Sequence, residues 1–123
     1  MTNHVHLLSQ CKDMISFTKN YKSYTTREIK KLILQDNRKY LLNLIISSYS
    51  KKKGKYFQIW NQNNWPELVE DSNFFEQKLN YIHSNPVVKG YVEHEEDWIY
   101  SSARNYISNN QSLIKIDTEG IIL

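Results

Sequence analysis

The sequence predicts an α+β fold, and three stretches carry that prediction. The first is Asn3-His4-Val5-His6-Leu7-Leu8, an alternating pattern that reads as a β-strand over residues 3–9. The second runs on from Met14, with apolar residues at three- and four-residue intervals. The third is a shorter helical stretch around Phe75, Leu79 and Ile82, opened by Asn73 and closed before Pro86. A chain of 123 residues suits one domain, 1–123, with a single modest core. No repeat or low-complexity linker divides it.

In a strand, side chains alternate between faces. His4 and His6 therefore point one way, about 7 Å apart, with Val5 and Leu7 on the other side. Two imidazoles so placed can share a metal ion, or form an ordinary half-exposed pair. Gln10 to Asp13 turn the chain into a helix that carries Met14, Phe17, Tyr21, Tyr24, Ile29, Leu32 and Ile33 and ends near Gln35. Thr25-Thr26 is a mild irregularity inside it, because β-branched residues lower helix propensity. On a helical wheel Lys12, Lys19, Lys22, Arg27 and Lys30 fall within about 140° of one another.

Asp36-Asn37 is a plausible cap for a second helix bearing Tyr40, Leu41, Leu44 and Ile45. The run Leu41 to Ile46 also reads as a buried strand. Ser47 to Lys55 forms a basic loop, and Tyr56-Phe57-Gln58-Ile59-Trp60 a short aromatic strand. After the loop Asn61 to Pro66, Asn73 and Glu76 form a capping-box pattern for the next helix. Proline disfavours helical backbone in the residue before it, so this helix is expected to stop at Asn85. Gly90-Tyr91-Val92 leads into an acidic segment, Glu93 to Asp97. Trp98 and Tyr100 anchor a turn, and Ser101 or Ser102 caps a last short helix through Tyr106. The tail carries Ile114, Ile116, Ile121 and Ile122, as a loose strand or a mobile end.

Charge is unevenly distributed. Residues 12–55 hold twelve of the sixteen Lys and Arg against three acids, a net +9. Residues 56–123 hold four bases and ten acids, a net −6. The basic half points to a polyanion, most simply nucleic acid, or else to a solvated lysine-rich face. No apolar run of about 18 residues is present, which excludes a membrane span of that kind. The single cysteine, Cys11, excludes an internal disulfide and suits a reducing cytoplasm.

Tyr81 and Asn85 lie four residues apart on the third helix, on one face and about 6 Å apart in rise. A phenol is a poor nucleophile near its usual pKa of about 10. It can attack phosphorus when the phosphate is polarised and held in line by a metal ion. His4, His6 and the amide oxygen of Asn85 are the candidate ligands. Against this stands a structural reading, with Tyr81 at the edge of the core and Asn85 as a C-terminal cap.

Five blocks bear on that choice: Asn3-His4-Val5-His6-Leu7-Leu8; Phe17-Thr18-Lys19 with Tyr24-Thr25-Thr26; Ile59-Trp60; Tyr81-Ile82-His83-Ser84-Asn85-Pro86-Val87 with Gly90-Tyr91-Val92; and Trp98-Ile99-Tyr100-Ser101-Ser102-Ala103. In order and rough spacing they resemble the single-tyrosine HUH transposases of the REP-associated (IS200-like) type. The family usually has Met-Pro before the first block, where this chain has Met1-Thr2. The resemblance implies a ferredoxin-like HUH nuclease fold with the His-x-His strand packed on helices. It implies Tyr81 as nucleophile, His4, His6 and Asn85 as ligands of Mg²⁺ or Mn²⁺, and cleavage and rejoining of single-stranded or hairpin DNA through a 5′-phosphotyrosine. Two imidazoles favour Mn²⁺. Lys12, Lys19, Lys22, Arg27 and Lys30 would meet the DNA backbone, and Trp60 or Trp65 would stack on a base or pack in the core. In the family a strand, a helix and a strand precede the His-x-His motif. The expectation here is an N-terminally truncated domain whose unpaired strand edge a homodimer would cover. The alternatives are a non-catalytic nucleic-acid-binding module or an inactive remnant.

Overall fold

A computed structural model describes residues 4–48, 58–61, 63–108, 110 and 113–118. The chain divides into two compact units, Ser9–Pro66 and Met1–Leu8 with Glu67–Leu123. The division follows the charge: the first unit contains the whole basic stretch, and the second the acidic one.

In the Ser9–Pro66 unit, helix α1 spans Met14–Gln35. Asp13 caps it, its carboxylate accepting from Ser16 N–H at 2.9 Å. The threonines fit inside it because their hydroxyls bond back to the preceding turn: Thr18 donates to the Met14 carbonyl and Thr25 to that of Tyr21. Its end is a Schellman closure. Asn37 takes the left-handed conformation at φ 53° and donates to the Leu34 carbonyl, while Arg38 N–H donates to Ile33. Asp36-Asn37 thus closes α1 rather than capping the next helix. Helix α2 follows at Lys39–Ser48, so the apolar run from Leu41 is helical, not a strand. Lys12 precedes the first turn of α1 and lies outside the helix. Trp60 docks on α1: its indole N–H donates to Thr25 Oγ1 at 2.8 Å, and its ring lies 5.7 Å from that of Tyr21. Tyr56 and Phe57, from the expected second strand, lie outside the described residues, as do Ile121 and Ile122 of the tail.

In the other unit, helix α3 spans Ser72–Val88. Its cap is Asp71, not Asn73. Asp71 has the extended backbone a cap requires, and its carboxylate accepts from Phe74 N–H at 2.8 Å. The helix also runs through Pro86 instead of stopping at Asn85. An internal proline forfeits one helical hydrogen bond and costs about 3 kcal/mol. Two features offset that cost: Asn85 and Pro86 are buried, and the carbonyls of Asn85, Pro86 and Val87 in the last turn all accept hydrogen bonds. Gly90, at φ 69°, donates to the Val87 carbonyl at 2.8 Å, and Tyr91 N–H donates to Pro86 at 2.9 Å. A 3-10 turn at Glu95–Asp97 leads to helix α4, Ala103–Ile107. Trp98 stacks on Tyr91 with ring centres 5.7 Å apart, and Tyr100 meets Trp98 edge-on at 5.7 Å. The buried centre is small and polar: Ala103, His83, Asn85 and Ser101. His83 Nε2 bonds Ser102 Oγ at 2.9 Å and its ring packs on Tyr106, which ties α3 to α4.

Among the described residues there is no strand and no sheet, and this overturns the α+β, ferredoxin-like expectation. Period-two alternation is only a permission to form a strand, since a ladder needs a second strand to take its N–H and C=O groups. Residues 4–10 pair with none among the described residues, and neither do 58–60. His4 and His6 sit on irregular backbone beside α3, within one compact unit.

Candidate active site

Three rings meet beside α3. His4 and His6 lie edge to face with centroids 4.9 Å apart. His6 in turn meets the ring of Tyr81 edge to face at 5.5 Å. Tyr81 is 55% exposed, so this face of α3 is open to solvent. His6 is half-buried, and its Nε2 is enclosed without a hydrogen-bond partner among the described residues. Burial, and then the neighbouring His4, lower its pKa and hold the ring neutral. In a neutral imidazole one nitrogen donates and the other accepts, so Nε2 is a group that a hydrogen-bond partner or, in the acceptor tautomer, a metal ion would satisfy.

Asn85 is buried below Tyr81, and its side-chain N–H donates to the Tyr81 backbone carbonyl at 2.7 Å. A carbonyl can only accept, so this contact fixes the amide orientation: the nitrogen faces the helix and the oxygen is the group left over. Tyr81 thus links the parts, its ring against His6 and its carbonyl holding Asn85. His4 and His6 are close enough together to share a divalent ion, whereas Asn85, the expected third ligand, is bonded to the Tyr81 backbone and does not line the pocket beside the pair. No cluster of three His, Cys, Asp or Glu suited to a metal exists among the described residues.

The expected nucleic-acid residues belong to the Ser9–Pro66 unit. Lys12, Lys19 and Lys30 are exposed. Arg27 lies 3.4 Å from Glu28 and 5.3 Å over the Tyr24 ring. Lys22 is half-buried and donates to the Asn61 carbonyl at 2.7 Å. Trp60 is half-buried with its N–H committed to Thr25, whereas Trp65 is 92% exposed.

One feature was not foreseen from the sequence. A pocket of about 130 Å³ opens beside the histidine pair, with Pro86, Trp98, Tyr100 and Ser101 in its wall. Trp98 and Tyr100 had read as turn anchors, which they also are. The alternation Trp98-Ile99-Tyr100 marks two aromatics two residues apart, but nothing in the sequence points them at His4 and His6.

A solvent-open tyrosine against paired imidazoles is the arrangement this unit presents, and comparison with known proteins finds a relative for the chain. The chain is similar to a Haemophilus influenzae protein named "Putative REP-associated tyrosine transposase", with 35% identity over 104 residues. That alignment takes in 83% of this chain and 54% of the relative, so the chain spans about half the length of the protein it matches. No family model matches the chain, and no solved structure does. Among the described residues no helix is long and apolar enough to cross a membrane.

Proposed function

We propose that this chain carries the site of a metal-dependent tyrosine transposase, which cleaves and rejoins single-stranded DNA through a 5′-phosphotyrosine. The observation that carries the reading is the Tyr81 ring set 5.5 Å from His6, on an exposed face of α3. The similarity to a protein of transposase name supports it.

In the proposed reaction the Tyr81 phenol oxygen attacks a backbone phosphorus. A P–O bond forms to the phenol as the P–O3′ bond breaks. The phenol proton passes to water, and the departing 3′ oxygen takes a proton from water to become a hydroxyl. The phosphoester count is unchanged, so the strand can be rejoined by the reverse attack without an energy source. Asn85 braces the Tyr81 backbone from below, and His6 limits the swing of its ring. A divalent ion, Mn²⁺ or Mg²⁺, held by His4, His6 and Asn85 Oδ1, would supply positive charge to the phosphate oxygens. The +9 stretch, with Lys19, Arg27 and Lys30 exposed on α1, would collect the DNA backbone.

That same charge favours a second reading, a binding module without chemistry. One experiment separates the two. The chain is incubated with single-stranded hairpin DNA and Mn²⁺, and protein–DNA adducts are resolved under denaturing conditions. The transposase reading expects an adduct that Tyr81→Phe abolishes while leaving DNA affinity within about twofold, since one uncharged hydroxyl carries little of an affinity set by phosphate–cation contacts. Binding without any adduct in the unmutated chain would overturn it in favour of the binding module.

A further inference from the structure

We propose that the pocket beside the histidine pair seats one nucleobase of the bound strand, with Tyr100 as its stacking face and the Ser101 hydroxyl as its polar contact. This deepens the reading above by giving the substrate strand a base-binding subsite, and it rests on that reading for the identity of the strand.

Four observations carry it. The first is size: about 130 Å³ suits the six-membered ring of a pyrimidine or purine base, since a cavity of about 150 Å³ takes benzene, and the pocket is open enough for a purine's second ring to extend out of it. The second is chemistry. Tyr100 is 73% exposed, yet its ring is held edge-on by Trp98, which is itself stacked on Tyr91. A bare aromatic on a braced support is a stacking platform that loses little freedom when a base arrives. The third is a directed polar group. Ser101 is buried to nine-tenths, and its oxygen already accepts from Ala103 N–H at 3.1 Å. Its own hydrogen has no acceptor among the described residues, so it can be given to a base carbonyl or ring nitrogen. The fourth is position. His6 lines the pocket on one side and meets Tyr81 at 5.5 Å on the other. A base in the pocket is thus separated from the Tyr81 ring by His6 alone, which places it next to the phosphate presented to the phenol.

The test uses the full chain carrying Tyr81→Phe, which removes chemistry and leaves the pocket. The probes are ten-nucleotide strands of dT, dC or dA, each with one central 2-aminopurine whose fluorescence falls on stacking. At least one strand is expected to be quenched on binding. Adding Tyr100→Ala should restore at least half of the lost fluorescence and weaken affinity about tenfold, within the range for losing one base–aromatic stack. Tyr100→Phe should keep the quenching, and Ser101→Ala should weaken the binding of the quenched strand by removing the polar contact to the seated base. Because Tyr100 is largely exposed, helical circular dichroism should be unchanged in its variants. Quenching that Tyr100→Ala leaves intact, or no quenching with any strand, overturns the proposal. The two readings fail separately: an adduct in the unmutated chain without a Tyr100 effect sinks the subsite alone. A Tyr100-dependent quench without any adduct keeps the subsite and sinks the nuclease.

Discussion

Replacing Asn85 by its near-isostere aspartate should harm this protein more than truncating it to alanine. Asn85 is 6% exposed and donates to the Tyr81 carbonyl at 2.7 Å. Asn85→Ala removes that bond but strands nothing, because the carbonyl also accepts from Ser84 Oγ at 3.3 Å. The cost is about 1 kcal/mol for the hydrogen bond, plus a small cavity term. Asn85→Asp at neutral pH sets a carboxylate oxygen against a carbonyl oxygen in a buried site. It loses the same bond and adds a desolvated acceptor with no donor, for a total of about 2–3 kcal/mol. The sign with pH follows. Burial beside an acceptor favours the protonated acid, so the folded-state pKa of the new carboxyl lies above its unfolded value. Its share of stability is present below the unfolded pKa and lost as pH rises through the folded one. The deficit should therefore shrink on acidification, as the acid regains a proton to donate to Tyr81. Urea unfolding followed by circular dichroism, at pH 7.5 and 4.5 with a chelator present, measures both effects. If the aspartate variant matches the parent at pH 7.5, the amide does not donate to Tyr81, and its oxygen is not the group left for a metal ion.

Two further outcomes test the frame around the site. Gly90→Ala should cost about 1 kcal/mol: a left-handed alanine loses about 1–2 kcal/mol, partly returned by a stiffer unfolded chain, and no atom lies within 4 Å of the added carbon to add a clash. A loss above about 3 kcal/mol in urea unfolding would mean that sterics, not backbone conformation, select glycine there. His83 has its pKa lowered by burial, so its neutral form is the folded one. Its contribution is complete above the unfolded value near 6.5 and is lost as pH falls through the folded one. Ser102 and Tyr106 face it, and neither supplies a compensating charge at these pH values. Unfolding free energy should fall between pH 7.5 and 5 in chelator, and His83→Gln should flatten that slope. A parent chain with no slope there refutes the buried neutral histidine.

The helices were the legible part of this sequence, and the residues that cap them were not. Periodicity over twenty residues fixed α1 to Met14–Gln35, because many weak apolar positions vote together. Helix ends turn on single side chains, and several residues can compete for one role. Asp71 and Asn73 are both good caps, and the choice fell to the one with extended backbone. Asp36-Asn37 can open a helix or close one, and Asn37 closes α1 by taking positive φ. The expected strands failed for another reason. Alternation describes one chain, while a strand is a property of two, and 4–10 has no ladder among the described residues. The histidine pair nonetheless reached Tyr81, because α3 and residues 1–8 share a compact unit.

The least expected local feature is also the one the site depends on. Had α3 stopped at Asn85, as the following proline suggested, that side chain would have been a terminal cap, turned to the last carbonyls and water. Because the helix continues to Val88, Asn85 lies inside it and is buried, and its nitrogen donates to the Tyr81 carbonyl one turn back. That bond leaves the amide oxygen as the group not committed to the helix. Pro86 contributes in the same way: with no N–H to place, it can stand in the pocket wall beside His4 and His6, while its carbonyl accepts from Tyr91 and closes the helix. The Asn-Pro pair that reads as a stop signal instead holds a buried amide against the helix and contributes an apolar wall to the pocket. Both uses require the helix to pass through it.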